Sequence, residues 1–344
     1  MSLKIAILSP VAWRTPPRHY GPWEQVASNL CEGLVSRGVD VTLFATGDSV
    51  TSGKLKHICC KGYEEDRDVD AKVAECMHIS YLMEQSGDFQ IIHNHFDFLP
   101  ITYSRLIDTP VVTTIHGFSS PKIIPVYKRY NDINYYVSIS NSDRSDQLDY
   151  SATVYNGIKH SDFTFREEQG KYLLFFGRIH HDKGTREAVE IAQKAGMKLV
   201  VSGIVQDEGY FRSEVEPFID NEQIVYMGSA GPAERDAILG GAYALLHPVN
   251  FEEPFGLSVA ESMFCGTPVI AFNRGAMPEL ISHGETGFLV SDIDEAVERV
   301  SDIPGISRKK CRNHAIENFG LDRMVDDYLK VYGKVLEMNF NHLF

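Results

Sequence analysis

No run of apolar residues in this 344-residue sequence approaches the roughly 20 that a helix needs to cross a bilayer. Basic residues are also scarce: 33 Lys and Arg stand against 47 Asp and Glu, which gives a net charge of −14. This imbalance argues against nonspecific nucleic-acid binding and against broad adhesion to anionic membranes. An anionic ligand would therefore need a pocket with its own positive charge.

The cysteines lack any pattern that would mark a metal site. Six occur, and none forms a C-x-x-C or similar spacing. Cys59 and Cys60 are adjacent, a spacing at which two cysteines rarely bridge. We interpret all six as free thiols in a reducing compartment. The N-terminal apolar run, residues 5–8, is too short for the apolar region of a signal peptide. We expect a cytoplasmic protein.

The sequence does contain a regular alternation of short β-rich runs and helical patterns. In the first half, strands are predicted at 4–8, 41–45, 90–93, 110–114 and 135–139, with helices over 23–37 and 71–84. In the second half, strands are predicted at 172–176, 198–202, 224–226, 244–246 and 268–271, with a helix over 185–195. This βαβ rhythm predicts an α/β fold with mostly parallel sheets and helices on both faces.

The rhythm is interrupted by a polar segment over residues 160–171, which predicts a domain boundary there. We divide the chain into domains 1–165 and 166–320, with a further helix in 321–344. No G-x-G-x-x-G follows the strand that opens either half, which argues against a dinucleotide oxidoreductase.

One segment, NFEEPFGLSVAE over 250–261, combines carboxylates with an apolar helix. Glu261 lies on that helix, where a buried carboxylate is costly unless something hydrogen-bonds it. Glu253 lies beside the helix N-terminus, whose unpaired amides and positive dipole end suit an anion. The amides expected to donate are those of Phe255, Gly256 and Leu257. The segment thus predicts an anion site between two acceptors for hydroxyl groups, the pattern of a nucleoside diphosphate sugar.

A second segment, GRIHHDKG over 177–184, follows the first strand of the second half. Ligands of open α/β sheets bind at the carboxyl ends of strands. Arg178 can grip a phosphate through two N–H groups, and Lys183 supplies a compact charge. The alternative is a solvated basic loop, which would be preferred for an isolated Arg and Lys. Together with Glu253 and Glu261, the segment favours binding of a diphosphate.

These motifs resemble retaining glycosyltransferase family 4. The seven residues between Glu253 and Glu261 match its E-x7-E pattern, and the run CGTPVIAFNRGAMPELISHGETGFLV is similar to the same family. The runs KIAILSP, TIHG, VSISNSDRS, YNGI and FGRIHHDKG occur in the expected order. The resemblance implies a GT-B architecture, two Rossmann-like domains facing a central cleft. Domain 1–165 would bind the acceptor and 166–320 the donor, and 321–344 would pack back on the first.

The resemblance also implies roles for single residues. The catalytic residues would be His116, Arg178, Lys183 and Glu253. Glu253 would contact the donor sugar and Glu261 the ribose, and the other donor-binding residues would be Gly21, Arg144, Phe255, Gly256 and Leu257. The acceptor would meet Tyr20, Trp23, Glu24, His93 and His95.

The chain departs from the family pattern at one loop. Family members often carry two consecutive glycines here, and Pro22 replaces the second, which removes one backbone donor. Trp23 could stack on an acceptor ring or lie in the core. Glu252 has no matched role and is expected to be exposed.

We therefore expect a hexosyltransferase that uses a nucleoside diphosphate sugar, with UDP favoured and GDP or ADP as alternatives. The acceptor would be a small soluble molecule, and neither nucleic acid nor a stable membrane association is expected. No cofactor and no metal are expected, because the D-x-D runs at 66–70 and 292–294 are interpreted as solvated acidic stretches. Two other functions stay open: a GT-B nucleotide-sugar epimerase, and a nucleotide-sugar-binding protein without turnover.

Overall fold

A computed structural model describes residues 3–118 and 120–341 of the chain. The chain forms two compact units. The first combines the chain up to Gly157 with the segment from Leu321 onward, and the second is Ile158–Gly320.

The first unit contains a sheet whose seven described strands are all parallel, in the order β3-β2-β1-β4-β5-β6-β7. These strands are β1 (Lys4–Leu8), β2 (Asp40–Phe44), β3 (Lys54–Lys56), β4 (Ile91–Asn94), β5 (Val111–Ile115), β6 (Asn134–Ser138) and β7 (Tyr150–Thr153). The helices between them are α1 (Pro22–Ser36), α2 (Ala71–Met83) and α3 (Ile124–Arg129). The inner strands are buried on both faces, as β1 shows, which explains their continuous apolar runs.

The second unit contains a parallel sheet of six strands in the order β10-β9-β8-β11-β12-β13. The strands are β8 (Leu173–Phe176), β9 (Leu199–Ser202), β10 (Ile224–Tyr226), β11 (Ala244–His247), β12 (Val269–Phe272) and β13 (Gly287–Val290). The helices are α4 (Thr185–Ala195), α5 (Glu208–Tyr210), α6 (Pro232–Gly240), α7 (Leu257–Phe264), α8 (Met277–Leu280), α9 (Ile293–Val300) and α10 (Arg308–Phe319). The strand order reverses between β8 and β11, so a crevice opens at their carboxyl ends.

The predicted α/β class with two Rossmann-like domains is confirmed. Three strands were not predicted, namely β3, β7 and β13, and all three lie at sheet edges. β13, with the sequence GFLV, is mostly buried but only four residues long. β3 and β7 are partly exposed, so they do not require a continuous apolar run. The sequence KLK of β3 illustrates this.

The last described helix, α11 (Leu321–Asn341), belongs to the first unit and packs on α1. A Cβ added to Gly33 would lie 2.4 Å from Val325 Cγ2, so the two helices are in close contact there. Arg37 at the end of α1 pairs with Asp322 at 3.0 Å and with Asp326 at 2.6 Å.

The division between the units precedes the one drawn from the sequence after residue 165. Residues 158–165 belong to the second unit. The ring of Phe163 lies 6.2 Å from that of Phe264, and the amide of Thr164 donates to Asp236 at 2.7 Å. The polar character of this segment in sequence hides these few contacts.

Within the two described ranges, no helix is both long enough and apolar enough to cross a bilayer.

Candidate active site

The basic loop follows β8 and is held close to the next strand. A Cβ added to Gly203, after β9, would lie 1.7 Å from the carbonyl oxygen of Gly177, so the two backbones touch. Arg178 is half-buried, and its Nη1 donates to the Oε1 of Gln206. The guanidinium is therefore fixed in direction at the carboxyl end of β8.

The same loop is locked against the segment that follows β11. Gly184 has φ +73°, and a Cβ there would lie 1.9 Å from the carbonyl oxygen of Pro248. The amide of Asn250 donates to the carbonyl of Asp182 at 2.6 Å, and its Nδ2 donates to that of His181 at 3.2 Å. These contacts place the side chains of the two loops next to each other.

Lys183 and Glu253 meet at this junction. Lys183 Nζ lies 2.5 Å from Glu253 Oε2, and His247 Nε2 lies 3.5 Å from the same oxygen. Glu253 is 8% exposed. Burial by itself would raise the pKa of the Glu253 carboxyl, but His247 and the charge of Lys183 outweigh burial and lower this pKa to about 2.

A glycine of the downstream run fixes the backbone of Glu253. Gly275 has φ +55°, and a Cβ there would lie 2.3 Å from the nitrogen of Glu253. The amide of Ala276 donates to the carbonyl of Glu253 at 2.9 Å. Glu252 is exposed, as predicted, and its Oε2 accepts the amide of Gly275 at 2.6 Å. The Gly-Ala pair thus orients both glutamates.

The second glutamate of the motif has its own partner. Glu261 lies on α7 and is 7% exposed, and its Oε1 lies 3.0 Å from Nη1 of Arg235 on α6. The Arg235 guanidinium also lies 5.2 Å from the ring centre of Phe163. Burial raises the pKa of Glu261, and the charge of Arg235 partly opposes that rise. This is the partner that a buried carboxylate requires. Arg235 belongs to no motif, so the sequence analysis missed it.

Helix α7 begins where the sequence analysis predicted an anion site. Gly256 is its N-cap residue with φ +92°, a conformation that favours glycine. The Phe255 ring is buried and lies 5.8 Å from the ring of Phe319. Leu257 is the first residue of the helix. The second unit therefore brings Arg178, Lys183 and the motif glutamates to neighbouring strand ends.

The predicted histidines of the first unit form one buried cluster at the ends of β4 and β5. His95 Nδ1 lies 2.9 Å from His116 Nε2. His93 is hydrogen-bonded at both ring nitrogens, to Tyr332 at 2.6 Å and to Thr114 at 2.7 Å. Burial lowers the pKa of His93 and of His116 to about 3, and that of His95 well below its usual value. All three rings are neutral at physiological pH.

The first turn of α1 packs onto this cluster. The Trp23 ring stacks on His116 with centroids 5.5 Å apart. Glu24 is 3% exposed and its Oε1 accepts the amide of Trp13 at 3.3 Å. Burial raises the pKa of Glu24 to about 7. Pro22 is the first residue of α1, a position where its missing N–H is not needed, and Gly21 before it has φ +149°.

The two remaining first-unit residues, Tyr20 and Arg144, each contact an aromatic ring. The Tyr20 ring lies edge-on to Trp13 at 6.5 Å. Arg144 is exposed, its Nε donates to Ser138 at 3.0 Å, and its guanidinium lies 5.0 Å from the ring centre of Tyr150.

Comparison with known protein families assigns the chain to one of them. A family model described as "Glycosyl transferases group 1" matches residues 158–318, and one described as "Glycosyltransferase Family 4" matches residues 23–161. The chain belongs to glycosyltransferase family 4. Spore coat protein SA of Bacillus subtilis is 33% identical to this glycosyltransferase, over 96% of the chain and 100% of that protein.

Solved structures support the GT-B fold of this family 4 glycosyltransferase. The sucrose-phosphate synthase of Thermosynechococcus elongatus has a TM-score of 0.79 at 16% identity and covers 98% of this chain and 100% of its own. Anabaena HepE in complex with UDP-glucose has a TM-score of 0.73 at 15% identity, over 96% of this chain and 100% of its own. At these identities the likeness establishes the fold, and the expected GT-B class is confirmed.

Proposed function

We propose that this glycosyltransferase transfers a hexose from a nucleoside diphosphate sugar to a small water-soluble acceptor, with retention of anomeric configuration. The observation that carries the proposal is the buried Lys183–Glu253 pair beside the N-terminus of α7. It sets a cation and a fixed carboxylate within one site, as a diphosphate and a sugar would require. UDP is the favoured nucleotide, and HepE, a structural neighbour, has been solved with UDP and with UDP-glucose.

In this proposal the diphosphate is held by Arg178, Lys183 and the first amides of α7. Helix N-termini stabilise anions, and charged donors strengthen the hydrogen bonds to phosphate oxygens. These groups can neutralise a diphosphate, so we propose that transfer needs no metal. Because Gln206 and Glu253 already orient the two cations, little reorganisation accompanies binding.

The glutamates accept hydroxyl groups at the two ends of the donor. With a pKa of about 2, Glu253 is ionised throughout the neutral range and can accept bonds from the sugar. Glu261 would accept the ribose hydroxyls. In the first unit we propose donor roles for Gly21, His116 and Arg144, and acceptor roles for Tyr20, Trp23, Glu24 and His95. The two occupied nitrogens of His93 favour a supporting role for that residue.

The reaction breaks the bond between the anomeric carbon and the β-phosphate oxygen. The acceptor oxygen bonds to the same face of that carbon, and its proton passes to the departing phosphate oxygen. Arg178, Lys183 and the α7 amides stabilise the charge that develops on this oxygen.

Nucleotide and donor are tested by a thermal-shift panel of UDP, GDP, ADP and their hexoses, since a ligand at 100 times its Kd adds about 2.7 kcal/mol. The donor that stabilises most is then incubated with soluble sugars and ringed metabolites in excess EDTA. We expect transfer, and NMR of the product should show the anomeric configuration of the donor.

Each alternative function predicts a different result in the same experiment. Conversion of the donor alone to a second nucleotide sugar would indicate an epimerase. Donor binding without transfer across the panel would indicate a binding protein. Loss of activity in EDTA that Mg²⁺ or Mn²⁺ restores would contradict the metal-free mechanism.

A further inference from the structure

Three consecutive residues of the β8–α4 loop bring metal-binding atoms together. His180 Nδ1 lies 3.2 Å from one oxygen of Asp182, and His181 Nε2 lies 2.9 Å from the other. The two imidazole rings are 4.6 Å apart. One ligand atom from each residue lies within 4.8 Å of the other two. Among the described residues, no other group of three or more His, Cys, Asp or Glu side chains brings its ligand atoms within 4.8 Å of one another.

The backbone that carries the cluster is held in place. His181–Lys183 is a 3-10 turn, and the amide of Asp182 donates to the ring of His180 at 3.3 Å. Asn250 binds the carbonyls of both His181 and Asp182, and Gly184 closes the turn against Pro248. A site on such a backbone loses little chain entropy when a ligand binds.

We infer that His180, His181 and Asp182 form a binding site for a divalent transition-metal ion. Two imidazole nitrogens and one carboxylate oxygen suit Zn²⁺, Ni²⁺, Co²⁺ or Cu²⁺ better than Mg²⁺ or Ca²⁺. The His181 side chain is 65% exposed, so the ion is reached from solvent and keeps positions for water or phosphate oxygen. Without metal, His180 Nδ1 accepts the amide of Asp182 at 3.3 Å, and an ion bound at this nitrogen would replace that bond.

The metal site lies between Arg178 and Lys183 in sequence, so an ion bound there should affect binding of the donor. This second step rests on the proposed function. A bound ion adds two positive charges to a loop that is proposed to hold a diphosphate, so it strengthens nucleoside diphosphate binding without being required for it. By linkage, the diphosphate strengthens metal binding by the same factor.

Metal binding is tested by calorimetry with Ni²⁺ on the full chain after dialysis against EDTA. Cys60 and Cys76 are exposed, so thiols are alkylated first. We expect one ion per chain. His181→Gln and Asp182→Asn should each weaken binding by at least about tenfold, the lower end of what even outer-shell changes cost. His160→Gln, which changes an exposed histidine of the same unit outside the cluster, should leave binding unchanged.

A spectroscopic measurement identifies the ligands even where a variant folds poorly. Electron paramagnetic resonance of the alkylated wild-type chain with one equivalent of Cu²⁺ should show hyperfine coupling to two imidazole nitrogens. The absence of a one-to-one site, or equal losses in His160→Gln and His181→Gln, would overturn the inference.

The coupling is measured separately, by titrating UDP into chain with and without one equivalent of Ni²⁺. We expect affinity to rise by about fivefold or more, and the gain to vanish in Asp182→Asn. Metal binding with unchanged UDP affinity would refute the coupling, but the inferred metal site would still stand. A failure of UDP to bind under any condition would instead count against the proposed nucleotide.

Discussion

At the scale of residues, two glutamates of one motif have opposite electrostatic environments. Both are buried, and burial raises a carboxyl pKa. Glu253 has Lys183 at 2.5 Å and His247 beside it, and its pKa falls to about 2. Glu261 has one cation, Arg235, at 3.0 Å, and its pKa stays raised. The partners of each carboxylate therefore decide its charge.

The buried pair predicts a large effect of removing its cation. Lys183→Met leaves Glu253 buried without its main partner, and breaking a buried pair costs about 3–5 kcal/mol. We expect a clear fall in the free energy of unfolding in urea and a loss of UDP affinity in calorimetry. Lys194→Met, which removes a half-exposed lysine paired with Glu190 and Asp294, is the control and should change neither quantity much. Equal effects of the two substitutions would argue against the pair as the centre of the site.

The glutamates themselves separate nucleotide binding from sugar binding. Glu261→Ala should weaken free UDP, because Glu261 is proposed to hold the ribose. Glu253→Ala should reduce turnover and the discrimination between sugars, while free UDP affinity stays nearly intact. Calorimetry with UDP and kinetics with two UDP-hexoses measure both. A similar loss of free UDP affinity in the two variants would show that the roles are not divided in this way.

Sequence alone could predict the residues that motifs carry, but not the partners that the fold supplies. Glu253 and Lys183 stand in recognisable runs, whereas Arg235 is a single basic residue on α6 with no fixed spacing to Glu261. The requirement itself was predictable, since a buried carboxylate needs a hydrogen-bond donor. Which residue meets it depends on how α6 packs beside α7.

At the scale of elements, the candidate site is made by the ends of two neighbouring parallel strands. β8 and β11 pair directly, and their following loops touch at Gly184 and Pro248. The inner strands and α7 were predictable because burial on both faces leaves a continuous apolar run. The edge strands β3 and β7 were not, because they are partly exposed and carry no continuous apolar run. β13 is mostly buried, but its run is only four residues long. Contacts between loops leave no periodic signal at all.

The loop contact can be tested with two glycines of similar backbone. Gly184 and Gly196 have φ of +73° and +64°, but a Cβ at Gly184 would lie 1.9 Å from Pro248, whereas Gly196 has nothing within 4 Å. Each alanine substitution costs about 1–2 kcal/mol for the left-handed backbone. Gly184→Ala should cost about 1–3 kcal/mol more through overpacking, and should weaken UDP binding. Urea unfolding and calorimetry compare them, and an equal cost would show that the loops do not pack as described.

At the scale of the whole molecule, the two units differ in the charge of their candidate site residues, although the chain as a whole is acidic. The site loop of the second unit is basic, although the chain carries −14. The first unit instead buries neutral histidines. His78 is a further buried histidine of this unit, and burial lowers its pKa to about 4. Both tryptophans, Trp13 and Trp23, lie in that unit, so their fluorescence reports its unfolding alone.

These histidines predict that acid destabilises the first unit. His78, His93, His95 and His116 have lowered pKa values when folded, so their contribution to stability is complete above the unfolded value near 6.5 and is lost as pH falls below it. Burial raises the pKa of Glu24 to about 7 and that of Asp97 to about 6, which acts in the opposite sense between about pH 7 and pH 4. Burial also raises the pKa of Glu75, so three carboxyls oppose the four histidines. The balance is a net uptake of about one proton on unfolding near pH 5, which lowers the free energy of unfolding by roughly 1 kcal/mol per pH unit.

Urea titrations followed by tryptophan fluorescence at pH 7.5, 6 and 5 should show this fall, and His116→Gln should flatten it while His160→Gln does not. A first unit as stable at pH 5 as at pH 7.5 would mean that the histidines take up protons without unfolding, and hence that the cluster opens to solvent in the native state.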